Sequence, residues 1–194
     1  MGFLEYAPAP ESRSILNLKD EYGLFIDGEF VEGRGASFAT ISPADESRIA
    51  TIAHASDEDV DLAVAAARRA YTKVWSKMSG RDRGKYLFRI ARLVQERARE
   101  LAVAESLDNG KPIKESRDVD VPLVASWFFY YAGWADKLDY AGAGPDPRPH
   151  GVAGAGHPVE LPAADAGVEG RPPALAAGNT VVLKPAETTP PSPP

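Results

Sequence analysis

A lysine and a glutamate that follow a short apolar run are the residues best placed to bind a ligand. The run Thr180–Leu183 predicts a buried strand of an α/β sheet, and Gly178-Asn179 before it is a natural helix stop. Lys184 ends the run, and Glu187 follows three residues later. Open α/β sheets bind ligands at the carboxyl ends of their strands, so these two side chains are candidate binding groups.

The nucleophiles and metal ligands of this sequence form no pattern typical of a catalytic or metal site. The 194 residues contain no cysteine, which excludes disulfides, thiolate ligands and a cysteine nucleophile. No serine lies in a Gly-x-Ser-x-Gly turn. His157 and Glu160 have the i, i+3 spacing of metal ligands on a helix, but Pro158 and Pro162 disfavour a regular helix there. We therefore predict no catalytic residue, no metal site and no separate enzyme built on His157 and Glu160.

Charge and hydropathy narrow the class of partner. The net charge of −6 argues against nucleic acid or an anionic membrane as the main partner, because both favour a basic face. No apolar run is long enough to span a bilayer. Met1–Ser14 has no basic region followed by an apolar core, so it does not have the pattern of a signal peptide. A cytoplasmic location is expected.

Two hairpins are predicted near the beginning of the sequence. Leu24–Val31 contains two short β-prone runs that flank Asp27-Gly28, a pair that tolerates the positive φ angles of a type I′ turn. Phe38–Ser42 and Ile49–Ala53 flank a second, turn-rich link.

Helical patterns follow the hairpins. Ser56 precedes three acidic residues and is a good N-cap for a first helix, and Ser79 or Asp82 begins a second. The helical pattern continues through Leu101–Leu107 and ends at Asp108–Pro112, where glycine and proline forbid continuation.

A third helical region begins at Ile113, is interrupted near Pro122 and continues through Trp127–Leu138. Its second part is rich in aromatic residues, which favours a helix packed into a core.

These elements predict an α/β fold, in which β-hairpins and N-terminal helices precede an incomplete Rossmann-like parallel sheet. Residues 1–20 are predicted to be a flexible tail, and residues 21–194 a partial domain. Residues 155–172, rich in Gly, Pro and Ala, are predicted to be irregular within it.

Four motifs together carry a family resemblance. They are Asp-Gly-Glu-Phe at 27–30, Leu-Asp-Asn-Gly-Lys-Pro at 107–112, Tyr-Tyr-Ala-Gly-Trp-Ala-Asp-Lys at 130–137 and Leu-Lys-Pro-Ala-Glu at 183–187. With them the sequence resembles the N-terminal part of the NAD(P)-dependent aldehyde dehydrogenases, over roughly Leu24–Gly154 and Ala174–Pro190. The resemblance adds a second interpretation of the aromatic helix, as a wall of the aldehyde tunnel.

The resemblance implies half of a cofactor site. Lys184 would hydrogen-bond the adenosine ribose hydroxyls, and Glu187 would help hold the same ribose. A carboxylate there would repel the 2′-phosphate of NADP, so NAD is the expected cofactor. The family's catalytic cysteine and its general base lie beyond the matched part, and so do the groups that grip the pyrophosphate. We therefore expect weak or absent NAD binding and no catalysis by this chain alone.

One segment departs from the family pattern. The family reads Ile-Pro-Trp-Asn-Phe-Pro where this chain has the run that begins at His157 and ends at Glu169, and Glu160 replaces an oxyanion-stabilising asparagine. Codons for this run can be chosen so that a frame shifted by one nucleotide encodes the family segment. The alternatives are therefore a frame slip and a plain disordered loop.

Two functional hypotheses follow. The chain is a truncated NAD-dependent aldehyde dehydrogenase, inactive alone, or it is a non-catalytic module that associates with full-length relatives or binds nucleotide weakly. Intact family members are expected to be homo-oligomers that use a small-molecule aldehyde and NAD. Missing sheet neighbours predict low stability for this chain.

Overall fold

Short strands form the first part of the fold. The computed structural model describes residues 13–141, 147–156 and 171–186. One sheet has the order β1-β5-β4, in which β1 (Glu21–Tyr22) is parallel and β4 (Ser37–Ile41) antiparallel to β5 (Arg48–Ala53). The β4–β5 pair confirms the second predicted hairpin. The two-residue strand β1 was not predicted, because a strand this short has no periodicity to detect.

The hairpin predicted at Leu24–Val31 is confirmed. β2 (Leu24–Ile26) and β3 (Glu29–Val31) are antiparallel, with Phe25 opposite Phe30. Asp27 and Gly28 join them with φ angles of 58° and 88°, the positive values that a type I′ turn requires.

Residues 13–20, the described part of the predicted flexible tail (residues 1–20), contact distant parts of the chain. Arg13–Ile15 form a short 3₁₀-helix, and Leu16 and Leu18 line a small cleft against the third helix. The Lys19 ammonium lies 5.2 Å from the centre of the Phe30 ring. These contacts come from residues distant in sequence, so local composition could not predict them. Residues 1–12 lie outside the described residues.

The starts of the first two helices and the end of the third lie where the sequence predicted, whereas the break between the second and third helices was not predicted. The three helices are α1 (Asp57–Lys73), α2 (Gly80–Glu96) and α3 (Ala98–Asn109). Ser56 and Ser79 are the N-caps of α1 and α2. Gly110 ends α3 in the left-handed conformation, with φ of 71°.

The regular α-helix is interrupted just before Pro122, as predicted, although a π turn keeps the backbone helical there. α4 (Ile113–Glu115) leads through a widened π turn (Ser116–Asp120) into α5 (Val121–Trp134). The Val121 amide donates to the Ser116 carbonyl, five residues back. Proline has no N–H and clashes with the carbonyl four residues earlier in a regular α-helix, and the wider turn accommodates it. α5 ends at Trp134, earlier than the predicted Leu138.

A parallel strand pair follows the helices. β6 (Val152–Gly156) pairs with β7 (Thr180–Lys184), and α6 (Arg171–Ala176) precedes β7. The prediction that residues 155–172 are irregular is wrong at both ends. Ala155 and Gly156 continue β6 because they pair with β7, and two prolines in the first turn of α6 suit a helix start. Residues 157–170, with His157 and Glu160, lie outside the described residues.

The core lies between α2, α5 and α6. Its buried residues are Leu87 and Ala91 of α2, Val124, Phe128 and Ala132 of α5, Ala135, and Ala176 of α6. Two glycines of α2 bring the backbones together: a Cβ on Gly80 would stand 2.2 Å from the Ala135 carbonyl oxygen, and one on Gly84 would stand 2.9 Å from that of Ala132. The closely packed α2–α5 pair therefore supports α6, the helix that leads into β7.

Candidate functional site

The carboxyl ends of β6 and β7 lie side by side. Lys184, the last residue of β7, is in register with Gly156, the last residue of β6. Its side chain is exposed, whereas Thr180 at the other end of the strand is buried. We call Gly154, Gly156 and Lys184 the carboxyl edge. The sequence-based prediction that Lys184 lies at the carboxyl end of a parallel strand is confirmed, and its role in binding stays a prediction.

The two glycines of the carboxyl edge are not crowded by other residues that the structure describes. A Cβ built on Gly154 or on Gly156 would meet no other described atom within 4 Å. Small residues beside an exposed cation leave room for a flat polar group, and the lysine can donate hydrogen bonds to it.

Glu187, the second predicted binding residue, lies outside the described residues. The chain approaches it through Pro185 and Ala186, and Ala186 is buried. Its role therefore stays a prediction.

The turn between α6 and β7 is closed by a complete Schellman motif. The Gly178 amide donates to the Leu175 carbonyl, and the Asn179 amide donates to that of Ala174. Gly178 has φ of 88°, which glycine adopts without strain. We call Ala174–Asn179 the α6–β7 corner.

Side chains from α2 and the turn before it donate to the same corner. Trp75 Nε1 donates to the Leu175 carbonyl at 3.2 Å, and Arg83 Nε donates to the Ala176 carbonyl at 3.2 Å. Burial lowers the pKa of the Arg83 guanidinium from its ordinary value. The last carbonyls of α6, which have no partner within the helix, are thus satisfied.

The amino ends of both strands are anchored as well. Asn179 Oδ1 accepts a hydrogen bond from the Gly151 amide at 2.9 Å, and the Thr180 hydroxyl donates to the Ala67 carbonyl of α1 at 2.9 Å. Tyr71 of α1 donates through its hydroxyl to the Pro149 carbonyl. The β6–β7 unit is therefore attached to α1 and α2 at the end opposite Lys184.

The aromatic helix divides its residues between two environments. Phe128 is in the core, which confirms the packing prediction for that residue. Tyr130 is 55% exposed, and Trp127 stacks on Tyr131 with ring centres 5.5 Å apart. The proposed wall of an aldehyde tunnel stays a prediction.

Two partly buried polar pairs around Leu107–Pro112 were not predicted from the sequence. The Thr40 hydroxyl donates to Asp108 Oδ1 at 2.7 Å, and Lys111 Nζ lies 2.5 Å from Asp120 Oδ2. Burial raises the pKa of the Asp108 carboxyl to about 6, although the Thr40 hydrogen bond pulls it down. The sequence showed these residues as a helix stop, and the threonine that identifies the Asp108 environment lies on a distant strand.

A buried carboxylate joins α1 to the loop before β4. Asp59 Oδ2 accepts hydrogen bonds from the backbone amides of Arg34 at 2.8 Å and Ser56 at 3.0 Å. These two amides hold the pKa of Asp59 below its ordinary value. The first turn of α1 is thereby fixed to the strands.

The described residues contain neither a cluster of metal ligands nor a membrane-spanning helix. Across residues 13–141, 147–156 and 171–186, no group of three or more His, Cys, Asp and Glu side chains could hold a metal ion. None of the helices in these ranges has the length and apolar character needed to cross a bilayer.

Parallel strands β6 and β7, with an exposed lysine at their carboxyl edge, place the chain in the Rossmann-like α/β class that the sequence predicted. The aldehyde dehydrogenase family model matches residues 30–193. An aldehyde dehydrogenase of Alternaria alternata is 42% identical over 177 residues, which cover 87% of this chain and 35% of that protein. Aldehyde dehydrogenase 1 of Tanacetum cinerariifolium is 44% identical over 177 residues, covering 86% and 35% respectively.

Solved structures agree with this relationship. The NAD⁺ complex structure of aldehyde dehydrogenase from Bacillus cereus matches with a TM-score of 0.81 and 36% identity, over 95% of this chain and 39% of that one. The chain belongs to the aldehyde dehydrogenase family. It spans about a third of the length of the curated relatives that it matches.

Proposed function

We propose that this chain supplies the ribose-binding edge of an aldehyde dehydrogenase cofactor site, as part of a protein that oxidises an aldehyde to a carboxylic acid with NAD. One observation carries the proposal: Lys184 is exposed at the carboxyl end of β7, directly opposite Gly156 of β6. Bound NAD would supply the hydride acceptor. Lys184 would donate to the adenosine ribose hydroxyls, and Gly154 and Gly156 would leave space for the sugar.

The proposed preference for NAD depends on Glu187. Its carboxylate would accept a ribose hydrogen bond and would repel the phosphate that distinguishes NADP. The Bacillus cereus relative was solved with NAD⁺, which supports the same cofactor here.

A charge-removing substitution at the edge tests the proposal. In nuclear magnetic resonance titrations of the 194-residue chain with AMP, Lys184→Met should weaken binding about tenfold, as expected for losing a charge-assisted hydrogen bond. Lys73→Met, which changes an exposed lysine at the end of α1, is the matched control. Equal affinities for wild type and Lys184→Met would contradict the proposal.

We further propose that the 194-residue polypeptide does not turn over aldehydes by itself. It contains no cysteine, so it cannot form the thioester of the family reaction. Purified chain incubated with NAD and a panel of aldehydes should produce no NADH above buffer. Any aldehyde-dependent NADH formation that persists through repurification would overturn this part.

Exposed apolar side chains favour a second candidate function, association with full-length relatives. Val119 of the π turn and Leu123 and Tyr130 of α5 are 50%, 42% and 55% exposed. Such a surface is typical of a face that meets another polypeptide. Sedimentation of the chain mixed with an intact relative tests this second function. If the two proteins sediment independently, the chain does not act by associating with full-length relatives.

Two further proposals concern origin and location. Sequencing the coding DNA tests the frame slip at residues 157–169, since the alternative frame must encode Pro-Trp-Asn-Phe-Pro.

We propose a cytoplasmic location, because a chain without cysteine does not depend on an oxidising compartment. Cell fractionation with an antibody to the chain tests it.

A further inference from the structure

The Arg83 guanidinium joins two segments that are distant in sequence. Its Nε donates to the Ala176 carbonyl at the end of α6, and its Nη1 donates to the Met78 carbonyl before α2 at 2.5 Å. The guanidinium carbon lies 3.4 Å from the position of a Cβ built on Gly178. One planar side chain therefore contacts both the start of α2 and the α6–β7 corner.

The bond to Ala176 completes the corner. Backbone amides satisfy the Ala174 and Leu175 carbonyls through the Schellman motif, and Trp75 adds a second bond to Leu175. The Ala176 carbonyl accepts from Arg83 instead. A cation is also the favourable group at the carboxyl end of a helix.

The strand pair beyond this corner needs external support. Among the described residues β6 and β7 pair only with each other, and a two-stranded unit is marginally stable by itself. Lys184 lies six positions after Gly178, about 20 Å along an extended chain. Its placement therefore depends on how firmly the corner holds the other end of β7.

We propose that Arg83 is a positioning residue for the nucleotide site: its two-directional hydrogen bonding fixes the α6–β7 corner and so holds Lys184 at the carboxyl edge. This inference rests on the proposed function, in which Lys184 binds the ribose. A lysine cannot replace the arginine, because an ammonium group lacks the planar fork that reaches two carbonyls in fixed directions.

The test compares Arg83→Lys and Arg83→Met with the wild-type chain. Arg89→Met, which changes an exposed arginine on the same helix, is the control. Amide hydrogen exchange is measured at Val181–Leu183 of β7 and, as a reference, at Ala50–Ile52 of β5. The dissociation constant for AMP is measured on the same samples.

Both Arg83 variants should raise the exchange rate in β7 about tenfold, the effect of losing one charge-assisted hydrogen bond, and should weaken AMP binding by a similar factor. Exchange in β5 should not change, and Arg89→Met should resemble wild type in both measurements. An Arg83→Lys chain with wild-type exchange and affinity would overturn the proposal. Equal increases in β5 and β7 would also overturn it, because they would indicate a role in general stability.

Trp75→Phe provides a second, milder variant should Arg83→Met fail to fold. It removes one hydrogen bond at the same corner and should also raise exchange in β7 alone; unchanged exchange there overturns the dependence of β7 on the corner. Absence of AMP binding by the wild-type chain would overturn the proposed function and the nucleotide part of this inference. The exchange pattern would still decide whether Arg83 holds β7.

Discussion

Two charged residues, Lys184 and Asp108, differ in solvent exposure, and their expected roles differ with it. Lys184 is exposed at a strand end, where a ligand can reach it. Asp108 lies in a largely buried pocket where the Thr40 hydroxyl is its hydrogen-bond donor. Burial disfavours the ionised carboxylate, so the pKa of Asp108 rises to about 6. Both residues belong to motifs that the sequence analysis identified, but only Lys184 was predicted there to have a chemical role.

Asp108 should make the free energy of unfolding depend on pH. Its pKa of about 6 in the folded chain exceeds the ordinary 3.8, so the native state binds more protons between these values. Its contribution to stability is therefore present below about pH 4 and is lost as the pH rises through 6. Asp108→Asn should gain stability relative to wild type over this window, by up to about 3 kcal/mol at pH 7. Urea unfolding of both proteins from pH 4 to 7 measures the difference, and a gain independent of pH would contradict the assignment.

Replacing Gly110 or Gly133 with alanine should change the free energy of unfolding in opposite directions. Gly110 has φ of 71°, and a Cβ there would stand 3.0 Å from Pro43 Cβ, so Gly110→Ala should cost about 1–2 kcal/mol. Gly133 lies within α5, where a Cβ would have no described neighbour within 4 Å, so Gly133→Ala should raise the free energy of unfolding by about 0.5–1 kcal/mol. Denaturant midpoints measure both changes. Equal effects of the two substitutions would show that backbone conformation does not decide them.

At the scale of elements, local signals predicted helix ends well. Ser56 accepts a hydrogen bond from the Asp59 amide, and Asp59 accepts one from the Ser56 amide, which completes a capping box. Both partners lie within four consecutive residues, so the sequence contains the whole interaction. The additional bond from the Arg34 amide to Asp59 is not local and was not predicted.

Removing the cap of α1 should destabilise the chain. Ser56→Ala should lower the free energy of unfolding by about 1 kcal/mol, because the Asp59 amide loses its acceptor. Ser126→Ala, at an exposed position within α5, should change it by less than about 0.5 kcal/mol. Chemical denaturation followed by circular dichroism measures both. A Ser56→Ala chain as stable as the Ser126→Ala chain would show that the cap is dispensable.

Elements that depend on distant partners were missed or misplaced. β1 exists because Glu21 and Tyr22 pair with Thr51 and Ile52 of β5. The first two residues of the segment predicted as irregular, Ala155 and Gly156, are ordered because β6 pairs with β7. Neither partner is visible in a local window of sequence, since strand pairing is decided by contacts across the fold.

At the scale of the whole molecule, three helices share a buried core, whereas the described strands form only small sheets. The buried cluster joins α2, α5 and α6, whereas the described strands belong to one three-stranded and two two-stranded sheets. Large apolar side chains such as Phe25, Phe88 and Tyr130 are exposed by 44% or more. This arrangement leaves much apolar surface without the burial that stabilises a domain.

Thermal unfolding should therefore be early and poorly cooperative. We expect a midpoint below about 45 °C, under the usual range for mesophilic domains. The calorimetric enthalpy should exceed the van't Hoff enthalpy, because the helical core and the small sheets unfold separately. Scanning calorimetry measures both enthalpies, and a single sharp transition with equal values would contradict this expectation.

The sequence by itself determined the family, the hairpin at Asp27-Gly28, the helix caps and the strand that ends in Lys184. The turn, the caps and the apolar run before Lys184 each depend on neighbours in the chain, and each of the four family motifs lies within a short window. Tertiary structure alone decided the environment of Asp108, the widened turn before Pro122 and the attachment of the α6–β7 corner to Arg83. Burial and hydrogen bonding between distant residues arise only after the chain has folded, and they set both the pKa of Asp108 and the anchoring of β7.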